Sequence, residues 1–179
     1  MQVNRVIPII ESGYVSPASG FGDGGYGVAI QRAYDERGIE TNYGPGNDIP
    51  DLDLEIKSWD KTKKGHISVA SSTFNNIYAT DGSIFLDKFK KWNLHIHEGG
   101  VLKEVRRIDF GPIQDIIEEE LAKLSDQLSN GASAPKSEHL ILEKVNSNSW
   151  KLRVKFNKAE NLFGMASSRK QLNDLFGAF

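Results

Sequence analysis

The chain has 179 residues, of which 39% are hydrophobic and 26% are charged, and its formal net charge at pH 7 is -2. That length suits a single domain, residues 1–179, with enough apolar residues to build a core. The sequence contains no cysteine, which excludes a disulfide framework, a thiolate zinc site and a cysteine nucleophile. Because the net charge is slightly negative, any contact with nucleic acid must come from a local cluster of cations.

A membrane segment is not expected. No stretch approaches the roughly 20 consecutive apolar residues that a membrane helix needs. The first ten residues contain a short apolar stretch, but no cleavage site of small residues follows it. We therefore expect a soluble, cytoplasmic protein without a membrane partner.

The predicted elements mix helices and strands along the chain. A Gly- and Ser-rich loop over 11–26 precedes a helix over about 27–37, which ends at Gly38. Strands are predicted over 52–59, 66–72, 92–96, 101–110, 139–145 and 150–156. A helix or turn over 75–89 and helices over 113–128 and 167–176 complete the pattern. Turns at 61–65, 99–100 and 146–149 predict three hairpins, and 130–137 is linker-like. The class is mixed α/β or α+β.

The strand predicted over 52–59 has two chemically different faces, because side chains alternate along a strand. The apolar face consists of Leu52, Leu54 and Ile56, and the polar face consists of Asp51, Asp53, Glu55 and Lys57. Neighbouring carboxylates repel one another, and one lysine offsets only part of that repulsion. Mg²⁺ prefers such oxygen ligands, and it can activate water for attack on a phosphodiester. The alternative is an ordinary polar face on a surface strand.

Pro50-Asp51 followed by Glu55-Ile56-Lys57 resembles the PD-(D/E)XK motif of restriction-type nucleases. The preceding features are similar, in order, to those of mismatch-repair nicking enzymes and related type II restriction enzymes. They are a Gly-rich turn at 24–27, a helix through Arg32, Gly38-Ile39 and a loop with Asn42. The resemblance covers roughly residues 22–73. It implies a restriction-endonuclease-like fold, in which a mixed central sheet is flanked by helices.

The resemblance also implies roles for individual residues. Asp51 and Glu55 would bind Mg²⁺, and Lys57 would assist the attacking water. Asp48 competes with Asp51 as the first acidic ligand, because many relatives place more residues before the Glu. Asp53 is a weaker competitor for that position.

A further ligand is expected from the helix before the motif. The mismatch-repair branch often supplies a Glu there, and Gln31 is the position that aligns with it. Its side-chain oxygen could coordinate a metal without adding charge. Glu36, near the end of the same helix, is the fallback.

Other polar residues are candidates for DNA contacts or a second metal site. Those directly after the predicted metal strand are Lys61, Lys63, Lys64, His66 and Ser68. They could bind phosphates or bases, or they could be solvated turn and strand residues. His95 and His97 share one strand face and could bind a metal, although an exposed polar face is favoured. Basic residues at 151–155 and 167–170 could also meet phosphates, but ordinary surface roles are favoured there.

We therefore expect a Mg²⁺-dependent endonuclease acting on double-stranded DNA, with type II restriction as its foremost setting. A phage or repair nuclease of the same fold is the near alternative. A non-catalytic DNA- or protein-binding module is the alternative from another class. Cleavage of both strands at a symmetric site suits a two-fold homodimer. The apolar stripe over 113–128 could face the core or a second subunit.

Overall fold

The computed structural model describes residues 25–36, 38–42, 47–50, 53–72, 86–131, 138–156, 162–164 and 169–176. The α-helices bounded in these ranges are α1 (Gly25–Glu36), α2 (Gln114–Gly131) and α3 (Lys170–Phe176), and a 3-10 helix over Gly111–Ile113 precedes α2. The strands are β1 (Leu54–Asp60), β2 (His66–Ser72), β3 (Lys91–Glu98), β4 (Val101–Asp109), β5 (Glu138–Asn146), β6 (Ser149–Phe156) and β7 (Leu162–Gly164). The mixture confirms the predicted class. None of the helices in the described ranges is long and apolar enough to cross a membrane.

The chain forms two compact units, here called unit 1 and unit 2. Unit 1 comprises residues 1–64 and 91–108, and unit 2 comprises residues 65–90 and 109–179. The described strands form a three-stranded sheet in the order β1-β3-β4 and a four-stranded sheet in the order β2-β5-β6-β7. The described strands thus make two sheets where the sequence predicted one central sheet.

The predicted hairpin between β1 and β2 is wrong. β1 pairs in parallel with β3, and Glu55 lies opposite Trp92. β2 instead pairs antiparallel with β5 in the second sheet. The lysine-rich turn after β1 has hairpin-like composition, but strands far away along the chain supply better partners for both β1 and β2.

The hairpin predicted at Gly99-Gly100 is confirmed. β3 and β4 are hydrogen-bonded neighbours joined by these two residues alone, so the two strands run antiparallel. Gly99 has φ of 59° and Gly100 has φ of 87°. Two successive positive φ values are what a type I′ turn requires, and glycine adopts them without steric cost.

α1 covers one face of β1 in unit 1. Ile30 and Tyr34 are fully buried in one apolar cluster with Leu54 and Ile56 of β1. Burial of each such side chain stabilises the fold by about 1.5–3 kcal/mol. The helix ends in a Schellman motif: the Gly38 N–H donates to the Asp35 carbonyl at 2.9 Å, and the Ile39 N–H donates to the Tyr34 carbonyl at 3.0 Å. Gly38, with φ of 79°, ends the helix as the sequence predicted.

Unit 2 packs helices against an antiparallel sheet. The predicted hairpin of β5 and β6 is confirmed. The Trp150 ring stacks on Phe176 of α3 with centroids 4.9 Å apart. α2 packs against β6 and β7, and its apolar stripe is buried at Ile117, Leu121 and Leu124. These positions are covered within the chain, so this part of the stripe is not a dimer surface.

Candidate functional site

Glu55 and Lys57 emerge from the same face of β1, as the alternation predicts. The Lys57 Nζ lies 3.4 Å from Glu55 Oε2. Glu55 is only 2% exposed, and the Lys57 side chain is 13% exposed. At Glu55 and Lys57 the alternative of a solvated surface face is therefore wrong, because water is largely excluded from this ion pair. Leu54 and Ile56, on the opposite face, fix the strand in the core of unit 1.

Asp48 is attached to the same strand. Its Oδ2 accepts a hydrogen bond of 2.8 Å from the backbone N–H of Ile56, the residue between Glu55 and Lys57. Asp53, in contrast, is exposed, has φ of 52° and accepts a hydrogen bond from the Asn47 amide. A hydrogen bond therefore connects Asp48 to the strand backbone between Glu55 and Lys57, whereas the Asp53 side chain faces Asn47. Asp51, the first ligand expected from the motif, lies outside the described residues.

Gln31 is linked to Asp48 through the backbone of Asn42. The Gln31 Nε2 donates to the Asn42 carbonyl at 2.9 Å, and the Asn42 N–H donates to the Asp48 carbonyl at 2.8 Å. Gln31 is nearly buried on α1, whereas Glu36, the fallback, is exposed at its end. The predicted helix residue thus helps to hold the loop that carries Asp48.

The chemistry of these donors fits a hard cation. Asp48 and Glu55 offer carboxylate oxygens, while the described ranges hold no cluster of three or more His, Cys, Asp or Glu side chains able to bind a metal. Mg²⁺ commonly takes only one or two protein carboxylates and completes its shell with water and phosphate oxygens. Carboxylate oxygens such as those of Asp48 and Glu55 are the type of ligand that Mg²⁺ prefers.

Trp92 lies beside the candidate site, although the sequence pattern does not predict it there. The Lys57 Nζ lies over the Trp92 ring, 5.8 Å from its centroid, within the range of cation–π attraction. The ring is fully buried and belongs to β3, directly opposite Glu55 in the parallel register. Because a hairpin with β2 was predicted, nothing in the local pattern brought Trp92 to this face of β1.

A chain of buried hydrogen bonds lies on the α1 side of the sheet. His95 Nδ1 lies 3.0 Å from the Asn93 carbonyl and 3.3 Å from the Lys57 carbonyl. Both are acceptors, so Nδ1 carries the proton. In the neutral ring Nε2 then accepts from the Tyr34 hydroxyl at 3.3 Å, and that hydroxyl accepts from Asn93 Nδ2 at 2.9 Å.

Burial determines the protonation states of His95 and Tyr34 in these hydrogen bonds. Burial lowers the pKa of His95 to about 4, although its hydrogen bonds to the Asn93 and Lys57 carbonyls oppose the shift. Burial also raises the pKa of Tyr34 to about 12. Both rings are therefore neutral near pH 7. His97 is fully buried as well, so the expected exposed histidine face is wrong.

The turn after β1 presents lysines beside the β3–β4 hairpin. Asp60 is buried, and its Oδ2 accepts from the Gly100 N–H at 2.9 Å, which fixes the two turns together. Burial raises the pKa of Asp60, but hydrogen bonds from Thr62, Gly100 and Gly99 outweigh it and leave the pKa below its usual value. Lys61 pairs with Glu98 at 2.6 Å, and Lys63 lies 3.9 Å from Asp60.

The other predicted DNA contacts divide between the units. Lys61, Lys63 and Lys64 are exposed in unit 1, whereas His66 is half-buried and Ser68 is exposed on β2 of unit 2.

Three of the other basic residues considered for phosphates have acidic partners. Arg153 pairs with Glu143 at 2.7 Å, and Arg169 pairs with Glu120 at 2.7 Å. Lys170 pairs with Asp174. Residues 167 and 168 lie outside the described ranges. Arg169 and Lys170 at the start of α3 therefore both take part in ion pairs.

No family model matches the chain, and neither does any curated protein or solved structure. The function is therefore inferred from the residues of unit 1 themselves: a buried carboxylate–ammonium pair, a second carboxylate fixed to the same strand, and a lysine-bearing turn at the end of that strand.

Proposed function

We propose that this chain is a Mg²⁺-dependent endonuclease that hydrolyses phosphodiester bonds in double-stranded DNA. The observation that carries the proposal is the pairing of Glu55 with Lys57 on a buried strand whose backbone also binds Asp48. Withdrawing such a pair from water costs free energy that an apolar pair would not. A catalytic requirement for both charges accounts for that cost. Under the proposed mechanism, hydrolysis of the phosphodiester requires both the carboxylate and the ammonium group.

In this proposal the roles follow from the chemistry of each group. Glu55 and Asp48 would hold Mg²⁺, with Asp51 as the competing first ligand that the motif implies. When bound, Mg²⁺ lowers the pKa of a coordinated water and neutralises charge on the phosphate. The Lys57 ammonium donates hydrogen bonds to the attacking water and to the oxygen that gains negative charge. Gln31 supports Asp48 through the Asn42 backbone.

The fold and biological setting belong to the same proposal. The resemblance to PD-(D/E)XK nucleases favours a restriction-endonuclease-like arrangement around β1 and a type II restriction enzyme acting as a homodimer. A phage or repair nuclease remains the near alternative. Lys61, Lys63 and Lys64 would bind DNA phosphates from the turn after β1 in unit 1. His66 and Ser68, on β2 of unit 2, stay separate predictions of DNA contacts from the sequence.

A non-catalytic binding module is the second candidate. It is favoured by the closed Glu55–Lys57 pair, which a purely structural role would also explain, and by the exposed turn lysines. Such a module would bind DNA without cutting it, with or without Mg²⁺.

Cleavage of supercoiled plasmid DNA tests the proposal. We expect cutting with Mg²⁺ and none with a chelator. Glu55→Gln, Lys57→Ala and Asp48→Asn should each lower the rate about 10²- to 10⁴-fold, because each removes a charge that acts on the reacting groups. Asp53→Asn is the matched control and should cut normally, since Asp53 is exposed and its carboxylate accepts a hydrogen bond from Asn47.

Loss of folding is distinguished from loss of catalysis by a paired variant. Removing one charge leaves the other buried and destabilises the protein by about 3–5 kcal/mol, whereas Glu55→Gln with Lys57→Met removes both. The double variant should fold and bind DNA but not cut. Normal cutting by this variant, or cutting by the wild-type protein in chelator, would show that the proposed function is wrong.

A further inference from the structure

We propose that Trp92 is the positioning residue for Lys57, and that its ring holds the ammonium at the reaction site by cation–π attraction. This inference rests on the proposed nuclease function, because Lys57 is the group being positioned. It adds a residue from a different strand, 35 positions away from Lys57 in the sequence, to those that the PD-(D/E)XK motif implies.

The geometry gives Lys57 two partners of different kinds. The carboxylate of Glu55 lies 3.4 Å from its ammonium, and the centroid of the Trp92 ring lies 5.8 Å from it. Trp92 has no exposed surface, so the ring is fixed by its own packing. Its place opposite Glu55 in the β1–β3 register keeps ring, carboxylate and ammonium on one face of the sheet.

The ring supplies something that Glu55 cannot. The attraction between Glu55 and Lys57 weakens whenever the carboxylate has a second positive partner. The negative face of an indole ring attracts an ammonium through its quadrupole, which does not depend on the state of Glu55. Because little water is nearby, this attraction keeps the Lys57 ammonium in place while the Glu55 carboxylate binds a second cation.

Substitutions of Trp92 separate cation–π positioning from simple packing. We expect Trp92→Leu to lower kcat about 3- to 30-fold, with Trp92→Phe in between, because the attraction follows the strength of the ring quadrupole. The KM for DNA should change less than about twofold. Trp150→Phe, at a fully buried ring in unit 2, is the control for loss of an indole and should retain its kcat.

Nuclear magnetic resonance of the metal-free protein provides a readout that does not depend on activity. The ring current of Trp92 should shift the Lys57 ε-methylene protons upfield, and Lys57→Arg identifies those resonances by their loss. The shift should persist in Glu55→Gln and vanish in Trp92→Leu.

The outcomes separate this inference from the function on which it rests. A wild-type protein that does not cut overturns both. Cutting by wild type with equal kcat in Trp92→Leu, or an equal loss in Trp92→Leu and Trp92→Phe, overturns the positioning role alone. Loss of the upfield shift in Glu55→Gln, while the dispersed amide resonances of the folded protein are retained, also overturns it, because Glu55 and not the ring would then hold the ammonium.

Discussion

His95 connects the interior of unit 1 to the strand that carries the candidate site. Its Nδ1 proton points at the carbonyls of Asn93 and Lys57, and its Nε2 accepts from the Tyr34 hydroxyl. Protonation of Nε2 would replace that acceptor with a second donor facing a hydroxyl. The neutral ring is therefore part of the folded structure and supports the backbone at Lys57 from the opposite face.

Acid should destabilise the fold through His95. Its folded pKa is about 4, whereas an unfolded histidine has a pKa of about 6.5. The unfolded chain therefore binds a proton first, so stability is fully present above about pH 6.5 and is lost as the pH falls towards 4. Comparing wild type with His95→Gln by urea unfolding, we expect the wild type to lose about 3 kcal/mol more between pH 7 and 4.

The variant comparison isolates His95 from other titrating groups. His97 and the carboxylates are present in both proteins, and Tyr34 stays neutral throughout this range. Parallel curves of unfolding free energy against pH would show that His95 is protonated equally well in the folded protein.

The candidate residues themselves were only partly predictable. Alternation placed Glu55 and Lys57 on one face because that rule is local to the strand. Their burial and the contact with Trp92 depend on β3, which begins at Lys91, and no local pattern specifies which distant strand lies alongside. The preference for Asp48 over Asp53 likewise depends on a hydrogen bond between a loop and the β1 backbone.

At the scale of elements, Asp60 joins two turns of unit 1. Its carboxylate accepts from Thr62 after β1 and from the N–H groups of Gly99 and Gly100 between β3 and β4. These backbone donors point at Asp60 only while both glycines keep their positive φ values. The conformation of the β3–β4 turn therefore also fixes the start of the lysine-bearing turn.

Substitutions at Gly99 should show this requirement. Nothing lies within 4 Å of a Cβ built at Gly99, so Gly99→Ala adds no clash and tests backbone conformation alone. We expect a loss of about 1–2 kcal/mol in unfolding free energy, and a smaller loss for Gly99→Asn because Asn tolerates the left-handed region. Chemical denaturation measures both.

Gly65→Ala is the control, since Gly65 also has open space around its Cβ but lacks a positive φ. Gly65→Ala should change the unfolding free energy only slightly. An equal effect of Ala and Asn at Gly99 would argue against conformational strain as the cause.

The positions of helices and strands were more predictable from the sequence than the pairing of the strands. The bounds of β2, the end of α1 at Gly38 and the hairpins of β3–β4 and β5–β6 followed from periodicity and turn residues. The β1–β2 hairpin did not form, because strand pairing is decided by packing of whole faces, whereas turn composition only permits a reversal. Sheet membership therefore could not be read from neighbouring segments.

At the scale of the whole molecule, a net charge of -2 makes DNA binding depend on local charge. Asp60 and Glu98 offset part of the charge of the turn after β1, and Lys103 on β4 adds to the positive field at Glu98. Long-range attraction between this protein and DNA should thus be weak, and affinity should come from short-range phosphate contacts.

The salt dependence of DNA binding tests whether the lysines of the turn after β1 contact phosphates. Changing Lys61, Lys63 and Lys64 together to Gln should weaken duplex binding in chelator and reduce the slope of log K against log salt by about 1 to 3, at about 0.9 per phosphate contact. The control changes Lys88, Lys90 and Lys123 to Gln. Each triple variant has a formal net charge of -2 - 3 = -5. Equal effects of the two triples, measured by fluorescence anisotropy, would refute a localised phosphate surface.

The two units are interleaved along the chain. β1 can pair with its parallel partner only after Lys91–Glu98 has been synthesised. β2 is synthesised between these two strands, but its partner β5 begins only at Glu138. A nascent chain stopped after residue 108 would hold every segment of unit 1 but carry β2 with no β5 to pair with. Unit 2 contains segments on both sides of residues 91–108. We therefore expect unit 2 to fold only after the C-terminal third of the chain has been synthesised.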